Sequence, residues 1–214
     1  MLVGLVGFIS SGKGTAGSIL EDCGFKGLSF ADPLKDATAN IFGWPRAMLE
    51  GDTPESRVFR EAKDEYWSAI FGRPFTPREA LQKIGTEAIR KTIHPDIWIH
   101  ALVRRLAVNS VIKDVRFFNE IEFIHQNQGI IIQIQRDNLP DWWDIARIAN
   151  IFPKAEDGIE AAKKMEEIGI HNSEWNWIGG RVDYVLQNDG TILDLRIKLY
   201  DVIMNTFNQK LYVE

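Results

Sequence analysis

Runs of apolar residues alternate along the chain with stretches whose apolar positions recur at helical spacing. The apolar runs occupy residues 2–6, 27–30, 110–115, 129–135 and 182–186. Runs without polar alternation are typical of strands buried on both faces, and parallel strands need crossover connections, which the helical stretches can supply. The pattern predicts an α/β fold with a five-stranded parallel sheet flanked by helices.

The most clearly specified helix is predicted over residues 76–92. Thr76 is a natural N-cap, and Glu79 stands where it would complete a capping box. A polar row follows at i, i+4 and i+8 on a different face: Arg78, Gln82 and Thr86. Such a row is often only the solvent-facing side of a helix. On this helix, however, Glu–Lys pairs at other positions already form a solvent-facing side. We therefore expect the row to form a wall of a binding cleft.

Further helices are predicted over residues 95–109, 117–128, 155–168 and 193–207. Residues 136–154 contain two prolines and two adjacent tryptophans, and we expect them to be irregular. The chain shows no repeats and no linker rich in Pro, Gly or Ser, which favours a single domain over residues 1–214.

The composition narrows the class of protein. The chain has 214 residues and a net charge of −5, which argues against stable nucleic-acid binding because such binding depends on Lys and Arg. The single cysteine, Cys23, fits a reducing compartment, and we see neither a signal peptide nor the ~18-residue apolar stretch of a membrane span. We expect a cytoplasmic protein without a membrane partner. His94, His100 and His125 are scattered and lack the spacing of metal ligands, so no zinc site is expected.

Residues 7–15, GFISSGKGT, follow the first apolar run and have the spacing G-x-x-x-x-G-K of a phosphate-binding loop. Glycines let such a loop surround a phosphate with backbone N–H groups, and the N-terminus of the next helix adds partial positive charge. The residues expected to hold nucleotide phosphates are Ser10, Ser11, Gly12, Lys13, Gly14 and Thr15. Gly14 replaces the usual Ser or Thr after the lysine, and the hydroxyl comes one place later. The alternative is a Gly-rich turn in an unrelated α/β protein.

A carboxylate and an arginine end the third apolar run. Asp114 stands where ligands bind in open α/β sheets, and we expect it to hold Mg²⁺ together with Thr15. Arg116 lies two residues on and is expected to face the same crevice, where arginines neutralise a transferring phosphoryl group. Arg136, after the fourth run, is placed on the same side. The alternative for Asp114 and Arg116 is a surface ion pair that caps the next helix.

The turn after the second apolar run reads Asp-Pro-Leu-Lys from Asp32 to Lys35. Asp32 is predicted to be the N-cap of a helix that begins with proline. We further expect Asp32 and Lys35 to face the substrate that accepts the phosphoryl group.

Several motifs together resemble those of the deoxynucleoside monophosphate (dNMP) kinases of tailed bacteriophages. They are GFISSGKGT (7–15), FADPLKDA (30–37), LEGDTPESR (49–57), TPREALQKIGTE (76–87), HPDIWI (94–99), DVRFFNE (114–120), IQRDNLP (134–140), HNSE (171–174) and VLQNDGT (185–191). The resemblance covers most of the chain and is weakest over residues 141–170. It implies a three-layer P-loop fold like that of nucleoside monophosphate kinases. It also implies transfer of the γ-phosphoryl of ATP, with Mg²⁺, to a deoxynucleoside 5′-monophosphate for phage DNA synthesis.

The resemblance also implies roles for particular residues. Catalytic roles fall to Lys13, Arg78, Asp114 and Arg116, and contact with ATP falls also to Arg136. The acceptor nucleotide would be bound by Asp32, Lys35, Arg78, Gln82, Arg116 and Glu120. An acceptor-binding helical insertion is expected over residues 33–109, and a mobile lid over residues 137–160, with Arg147 and Lys154 available to it.

Two other functions remain open at this stage. One is a P-loop kinase that phosphorylates a modified base within DNA, although the negative net charge argues against the basic groove it would need. The other is a nucleotide-binding partner protein without turnover. A homodimer is also compatible with the sequence, because Trp44, Trp67, Phe71 and Phe75 would allow an aromatic dimer surface.

Overall fold

The computed structural model describes residues 1–136 and 138–211. In chain order the elements are β1 (Leu2–Val6), α1 (Lys13–Asp22), β2 (Lys26–Leu28), α2 (Asp32–Phe42), a 3₁₀ turn (Arg46–Leu49), α3 (Pro54–Glu61), α4 (Glu65–Phe71), α5 (Pro77–Gln82), a π-helix (Lys83–Arg90), α6 (Ile97–Val103), β3 (Ser110–Ile112), α7 (Phe118–Gln126), β4 (Ile130–Gln135), α8 (Trp143–Ile151), α9 (Glu156–Ile168), a 3₁₀ turn (Asn172–Glu174), β5 (Tyr184–Gln187) and α10 (Ile192–Leu211). They divide into two compact units. The first comprises Met1–Leu28 and the chain from Leu106 onward, and the second comprises Ser29–Arg105.

The first unit contains the parallel sheet that the apolar runs predict. Its five strands lie in the order β2-β3-β1-β4-β5, and every neighbouring pair is parallel. Strand β2 ends at Leu28, so Ser29 and Phe30 of the predicted run are not part of it. Strand β1 lies at the centre, which places the carboxyl ends of β3, β1 and β4 side by side. Ligands bind at this edge in open α/β sheets.

Helices cover both faces of the sheet around β1. Val3 and Leu5 belong to a core cluster that includes residues of α1 and α10, such as Ile19 and Leu199. Gly4 points the other way, where an added Cβ would lie 2.5 Å from Ile124 of α7. The missing side chain therefore lets α7 pack closely on β1. Burial on both faces explains why this strand reads as an unbroken apolar run.

The prediction of irregular structure over residues 136–154 is wrong for residues 143–151. Helix α8 runs from Trp143 to Ile151 and packs against α9. Its buried side chains are the small ones of Ala146 and Ala149, so its inner face lacks the large apolar residues from which helical periodicity is recognised. Asp137, where the predicted lid begins, lies outside the described residues.

The second unit has an aromatic core. Trp44 and Phe75 are buried, and the rings of Phe42 and Trp44 stack with centroids 4.5 Å apart. The indole N–H of Trp67 donates to the carbonyl oxygen of Phe42 at 3.0 Å. Trp44 and Phe75 therefore pack inside the unit and do not offer a surface for a partner. Homodimerisation stays a prediction.

The helix predicted over residues 76–92 forms, but its second half is a π-helix. Thr76 Oγ1 accepts the Glu79 N–H at 3.2 Å, which confirms the N-cap. The predicted capping box is wrong, because the Glu79 carboxylate accepts hydrogen bonds from the guanidinium of Arg73 instead. The turns from Lys83 onward are wider than α-helical turns, so Thr86 does not continue the line of the two preceding polar residues.

Contacts with α2 and α6 fix this π-helix at Gly85. The indole N–H of Trp98 donates to the Gly85 carbonyl at 2.9 Å, and an added Cβ at Gly85 would lie 2.6 Å from Leu34. The close packing therefore needs glycine there.

Among the helices in the described part of the chain, none combines the length and the apolar character that a bilayer crossing requires.

Candidate active site

The loop between β1 and α1 has a backbone that only particular residues can adopt. Gly7 has φ of 144° and Gly12 has φ of 103°, and Ser10 is left-handed at 64°. An added Cβ at Gly7 would lie 2.4 Å from the Ile134 carbonyl oxygen, so side chains are excluded there. Helix α1 begins at Lys13, directly after the loop. The first N–H groups of a helix have no partner within it, and they make this loop a ready site for a phosphate anion.

Asn188 holds the loop to the end of β5. Its side-chain amide donates to the Ser11 carbonyl oxygen at 2.8 Å, and it is buried. An added Cβ at Gly12 would lie 2.2 Å from that amide nitrogen. The Ser11 hydroxyl is buried and has no hydrogen-bond partner among residues 1–136 and 138–211. A buried hydroxyl in that position is suited to donate to a phosphate oxygen.

Sequence reasoning included Asn188 only as part of the motif VLQNDGT and missed this role. We expect Asn188→Ala to raise the Kd for ATP about fivefold, because the loop loses a buried hydrogen bond worth about 1 kcal/mol. Calorimetric titration with ATP measures the change. Asn127→Ala is the matched control, since it removes an amide-to-carbonyl bond of 2.8 Å at an exposed site. Equal affinities for the two variants would show that Asn188 does not shape the loop.

Lys13 lies across the loop. Its ammonium group donates to the carbonyl oxygens of Gly7 and Phe8, both at 2.7 Å. Burial and the nearby guanidinium of Arg116 lower the pKa of Lys13 to about 8, against the opposing effect of two carboxylates, Glu174 and Asp114. Arg116 and Asp114, which the sequence analysis assigned to catalysis, are therefore close enough to Lys13 to shift its pKa.

Arg116 is oriented by an ion pair that the sequence did not reveal. Strand β3 ends at Ile112, so the two-residue period of a strand does not extend to Arg116. Its Nη1 donates to Glu174 Oε1 at 2.6 Å and to the Ser173 carbonyl oxygen at 3.2 Å. Burial alone would lower the pKa of Arg116, but Glu174 foremost, with Asp114 and Glu120, holds it above its ordinary value. The polar motif HNSE was the only sequence signal for Glu174.

Glu120 serves the backbone of the turn before α7. Its carboxylate accepts the N–H of Arg116 at 2.7 Å and of Phe117 at 3.2 Å, and its side chain is buried. The bond to the Phe117 N–H caps the start of α7, and the two bonds together fix the direction in which Arg116 leaves the turn. Its contact with an acceptor nucleotide stays a prediction.

The predicted metal ligands offer suitable donors. Thr15 presents an exposed hydroxyl in the first turn of α1, and the half-buried carboxylate of Asp114 follows β3. Hydroxyl and carboxylate oxygens are the hard donors that Mg²⁺ prefers, usually with several waters and substrate phosphates completing its shell. Ser10 and Gly14 are both exposed beside them on the loop and the helix start.

An open pocket of about 600 Å³ lies at the carboxyl ends of β4 and β5. Its lining consists of Gln135, Arg136, Asn138, Gln187 and Asp189. Arg136 Nε donates to the carbonyl oxygen of Asn188 at 3.4 Å, which connects this pocket to the residue that holds the loop. The predicted position of Arg136 beside the nucleotide is compatible with this pocket.

The remaining predicted residues lie in the second unit. Helix α2 begins at Asp32 with Ala31 in the N-cap position, so the prediction of Asp32 as N-cap is wrong by one residue. The Asp32 carboxylate instead accepts the Ser29 N–H at 3.0 Å. A proline at the second helical position still fits there, because that N–H has no helical partner.

Lys35 and Asp32 belong to an ion-pair network that the sequence did not reveal. Lys35 donates to Glu50 at 2.6 Å. Arg46 binds three carboxylates: Asp36 at 2.6 Å, Asp32 at 3.2 Å, and Glu50. Burial alone would raise the pKa of Glu50, but Lys35 and Arg46 hold it below its usual value. The network fixes two predicted acceptor-binding side chains relative to each other.

The last two predicted acceptor residues lie on α5. Arg78 forms an ion pair with Glu61 of α3, and both side chains are more than one third exposed. Gln82 is the last residue of α5, where the π-helix begins. Exposed ion pairs contribute little to stability, so Arg78 can exchange its partner for a ligand at small cost.

Two known proteins are similar to the chain in sequence. A protein of Acanthamoeba polyphaga mimivirus, provisionally named a deoxynucleotide monophosphate kinase, is 36% identical over 155 residues, which is 65% of this chain and 76% of that protein. The deoxynucleoside-5′-monophosphate kinase of Escherichia phage T5 is 30% identical over 91 residues, 41% of this chain and 35% of that enzyme. No protein-family model matches the chain.

Solved structures similar to the fold include three proteins of low sequence identity. They are TT1252 from Thermus thermophilus (19% identical, TM-score 0.45, covering 96% of this chain and 97% of that one), dephospho-CoA kinase from Campylobacter jejuni (17%, 0.42, 95% and 95%) and shikimate kinase from Aquifex aeolicus (14%, 0.42, 99% and 99%). At TM-scores below 0.5 this likeness adds no argument. Because the chain is 36% identical to the mimivirus protein over 76% of that protein's length, it belongs to the deoxynucleotide monophosphate kinase family and is a P-loop kinase.

Proposed function

We propose that this kinase transfers the γ-phosphoryl group of ATP to a deoxynucleoside 5′-monophosphate and releases ADP and a deoxynucleoside diphosphate. The observation that carries the proposal is the loop between β1 and α1, across which Lys13 lies while the charges of Arg116, Asp114 and Glu174 act on its pKa. The names of the mimivirus and phage T5 relatives support the choice of acceptor.

In the proposed reaction an oxygen of the acceptor 5′-phosphate bonds to the γ-phosphorus, and the bond from that phosphorus to the β–γ bridging oxygen breaks. The loop N–H groups and the Ser11 hydroxyl would hold the donor phosphates. Lys13 and Arg116 would neutralise the charge on the transferring group, which is where enzymes of this class obtain their rate. Mg²⁺, held by Thr15 and Asp114, would supply further positive charge to the phosphate oxygens.

Glu174 would position Arg116 without touching substrate. Its carboxylate accepts Nη1 at 2.6 Å, which fixes the guanidinium plane before any phosphate arrives. A guanidinium fixed in this way loses less conformational entropy when it binds, which favours catalysis.

The low pKa of Lys13 predicts a pH dependence of ATP binding. Phosphates favour the charged ammonium, so ATP raises the pKa of Lys13 above its value of about 8 in the free protein. Above pH 8, binding therefore takes up a proton, and the affinity should fall by up to about tenfold per pH unit. Titration with ATP at pH 7, 8 and 9, without metal, measures this fall. Lys13→Arg keeps its charge throughout, and a slope equal to that of the wild type would contradict the assignment.

In the second unit, Asp32, Lys35, Arg78 and Gln82 are our candidates for binding the acceptor. Lys35 and Arg78 would contact its phosphate, and Asp32 and Gln82 would contact its sugar or base. Residues 33–109 would be the acceptor-binding insertion. Residues 137–160 would form the lid, with Arg147 and Lys154 reaching toward ATP and with water excluded on closure.

The biological role that fits this reaction is supply of DNA precursors during infection by a phage. Such an enzyme would work in the cytoplasm of the host cell. We expect a small-molecule acceptor and no stable association with nucleic acid, since the net charge is −5.

A substrate panel tests the proposal. ATP with Mg²⁺ is supplied with each of the four common dNMPs, with modified pyrimidine dNMPs and with the matching ribonucleotides, and ADP release is measured. We expect turnover with at least one deoxynucleotide. Intact DNA with hydroxymethyluracil, labelled from γ-labelled ATP, is run in parallel. Labelled DNA without any turnover of dNMPs would overturn the proposal in favour of a DNA-modifying kinase, and ATP binding without any transfer would favour a non-catalytic partner protein.

A further inference from the structure

Three polar side chains that lie within seven positions of the sequence come together in the second unit. His94, Asp96 and His100 lie around the start of α6, and each offers a ligand atom within 4.8 Å of the other two. The centroids of the two imidazole rings are 5.4 Å apart. The expectation that the histidines show no metal-binding arrangement is wrong for this pair.

The backbone holds these residues in place. His94 Nδ1 accepts the Asp96 N–H at 3.0 Å, and the His94 carbonyl accepts the Ile97 N–H at 3.2 Å. The His100 N–H donates to the Asp96 carbonyl at 3.0 Å, which places His100 one helical turn after Asp96. Both histidines are exposed and Asp96 is half-buried, so an ion can reach the cluster from solvent.

We propose that His94, Asp96 and His100 form a binding site for a divalent transition metal of the Zn²⁺ class. Two imidazoles and one carboxylate are a donor set that Zn²⁺ accepts, with water completing its tetrahedral shell. Mg²⁺ favours oxygen donors and is a poor match for two imidazoles. The cluster is thus chemically different from the Thr15 and Asp114 oxygens proposed for Mg²⁺.

The site connects the π-helix to α6. Arg90, the last residue of the π-helix, donates to the Pro95 carbonyl at 3.4 Å, within the segment that carries His94 and Asp96. From the other side, Trp98 of α6 donates to Gly85 in the π-helix. A bound ion would join the segment before α6 to its first turn, and it should therefore raise the melting temperature of the protein.

Titration of the full chain, free of any histidine tag, with Zn²⁺ against a chelating indicator tests the site. We expect one equivalent to bind to the wild type, and His94→Ala and His100→Ala each to weaken binding about tenfold or more. His125→Gln is the matched control, because His125 pairs with Asp183 in the first unit. Excess Mg²⁺ should not compete. Wild-type affinity in the double variant His94→Ala/His100→Ala would overturn the proposal.

A second measurement uses only the wild-type protein, so it tests the site even if a variant fails to fold. Ring ¹⁵N resonances of the wild type are recorded as Zn²⁺ is added. We expect two of the four histidines to shift and the other two to stay unchanged. Shifts in none of the rings, or equal shifts in all four, would contradict a site built from His94 and His100.

Discussion

Replacing Lys13 by alanine should lower kcat by a factor of about a hundred to a thousand with any accepted dNMP. The ammonium lies over the loop, 2.7 Å from the carbonyl oxygens of Gly7 and Phe8. Its charge would stabilise the transferring phosphoryl group more than the ground state, and fixed charges of this kind commonly contribute about 3–4 kcal/mol to the barrier. Steady-state kinetics with the best dNMP of the panel measure the loss.

Lys164→Ala provides the matched control for charge and stem length. Lys164 is exposed on α9 and pairs only with a residue of its own helix, Glu160, among the ion pairs of the described chain. We expect its kcat to equal that of the wild type. Lys13→Ala should remain folded, because its side chain supports the loop and not the core of the sheet. A loss below tenfold in Lys13→Ala would show that Lys13 does not act on the transferring group.

The second large effect is expected at Gly12. Alanine at Gly12 must adopt φ of 103°, which costs about 1–2 kcal/mol, and its Cβ would lie 2.2 Å from the Asn188 amide nitrogen. The amide must then move and give up its bond to Ser11, so the loop loses its shape as well as its fixed position. We expect Gly12→Ala to raise the Kd for ATP by a factor of about a hundred.

Gly24, just beyond the other end of α1, supplies the control for backbone strain. It has φ of 87°, and an added Cβ there meets nothing within 4 Å. Gly24→Ala should therefore lower the stability by about 1–2 kcal/mol and keep the ATP affinity of the wild type. Calorimetry with ATP and thermal unfolding compare the two variants. If Gly24→Ala weakened ATP binding as much as Gly12→Ala, the contact with Asn188 would not be the cause.

Local sequence is sufficient to predict some parts of the site. The loop was predicted residue by residue, because its glycine spacing follows from backbone conformations that hardly any other residue can adopt. The strand positions followed from unbroken apolar runs, and the structure confirms them with shifts of at most three residues at their ends. The position of Asp114 and Arg116 after β3 followed from the same pattern.

The hydrogen-bond and ion-pair partners of those residues could not be predicted from the sequence. Asn188 contacts Ser11 across 177 positions of sequence, and Glu174 contacts Arg116 across 58. Arg46 gave no signal at all, although it joins Asp32 to Glu50. Hydrogen bonds of this kind depend on where two distant segments meet, and no spacing in the sequence encodes that distance.

The same limit explains the errors in the helices. Glu79 had the spacing of a capping box, but Arg73 lies near enough to bind its carboxylate instead. The π-helix after Gln82 coincides with the bond from Trp98 to Gly85, a contact between two helices. Local propensity specifies that a helix forms, and packing against its neighbours selects its width and its end.

The sequence by itself determined the parallel sheet, the phosphate-binding loop and the kinase family. Each rests on a short-range rule: burial on both faces of a strand, the steric freedom of glycine, and motifs of adjacent residues. Only the tertiary structure decided what holds Ser11 and Arg116 in place. Those arrangements depend on contacts between groups whose separation in space is set by the packing of whole elements.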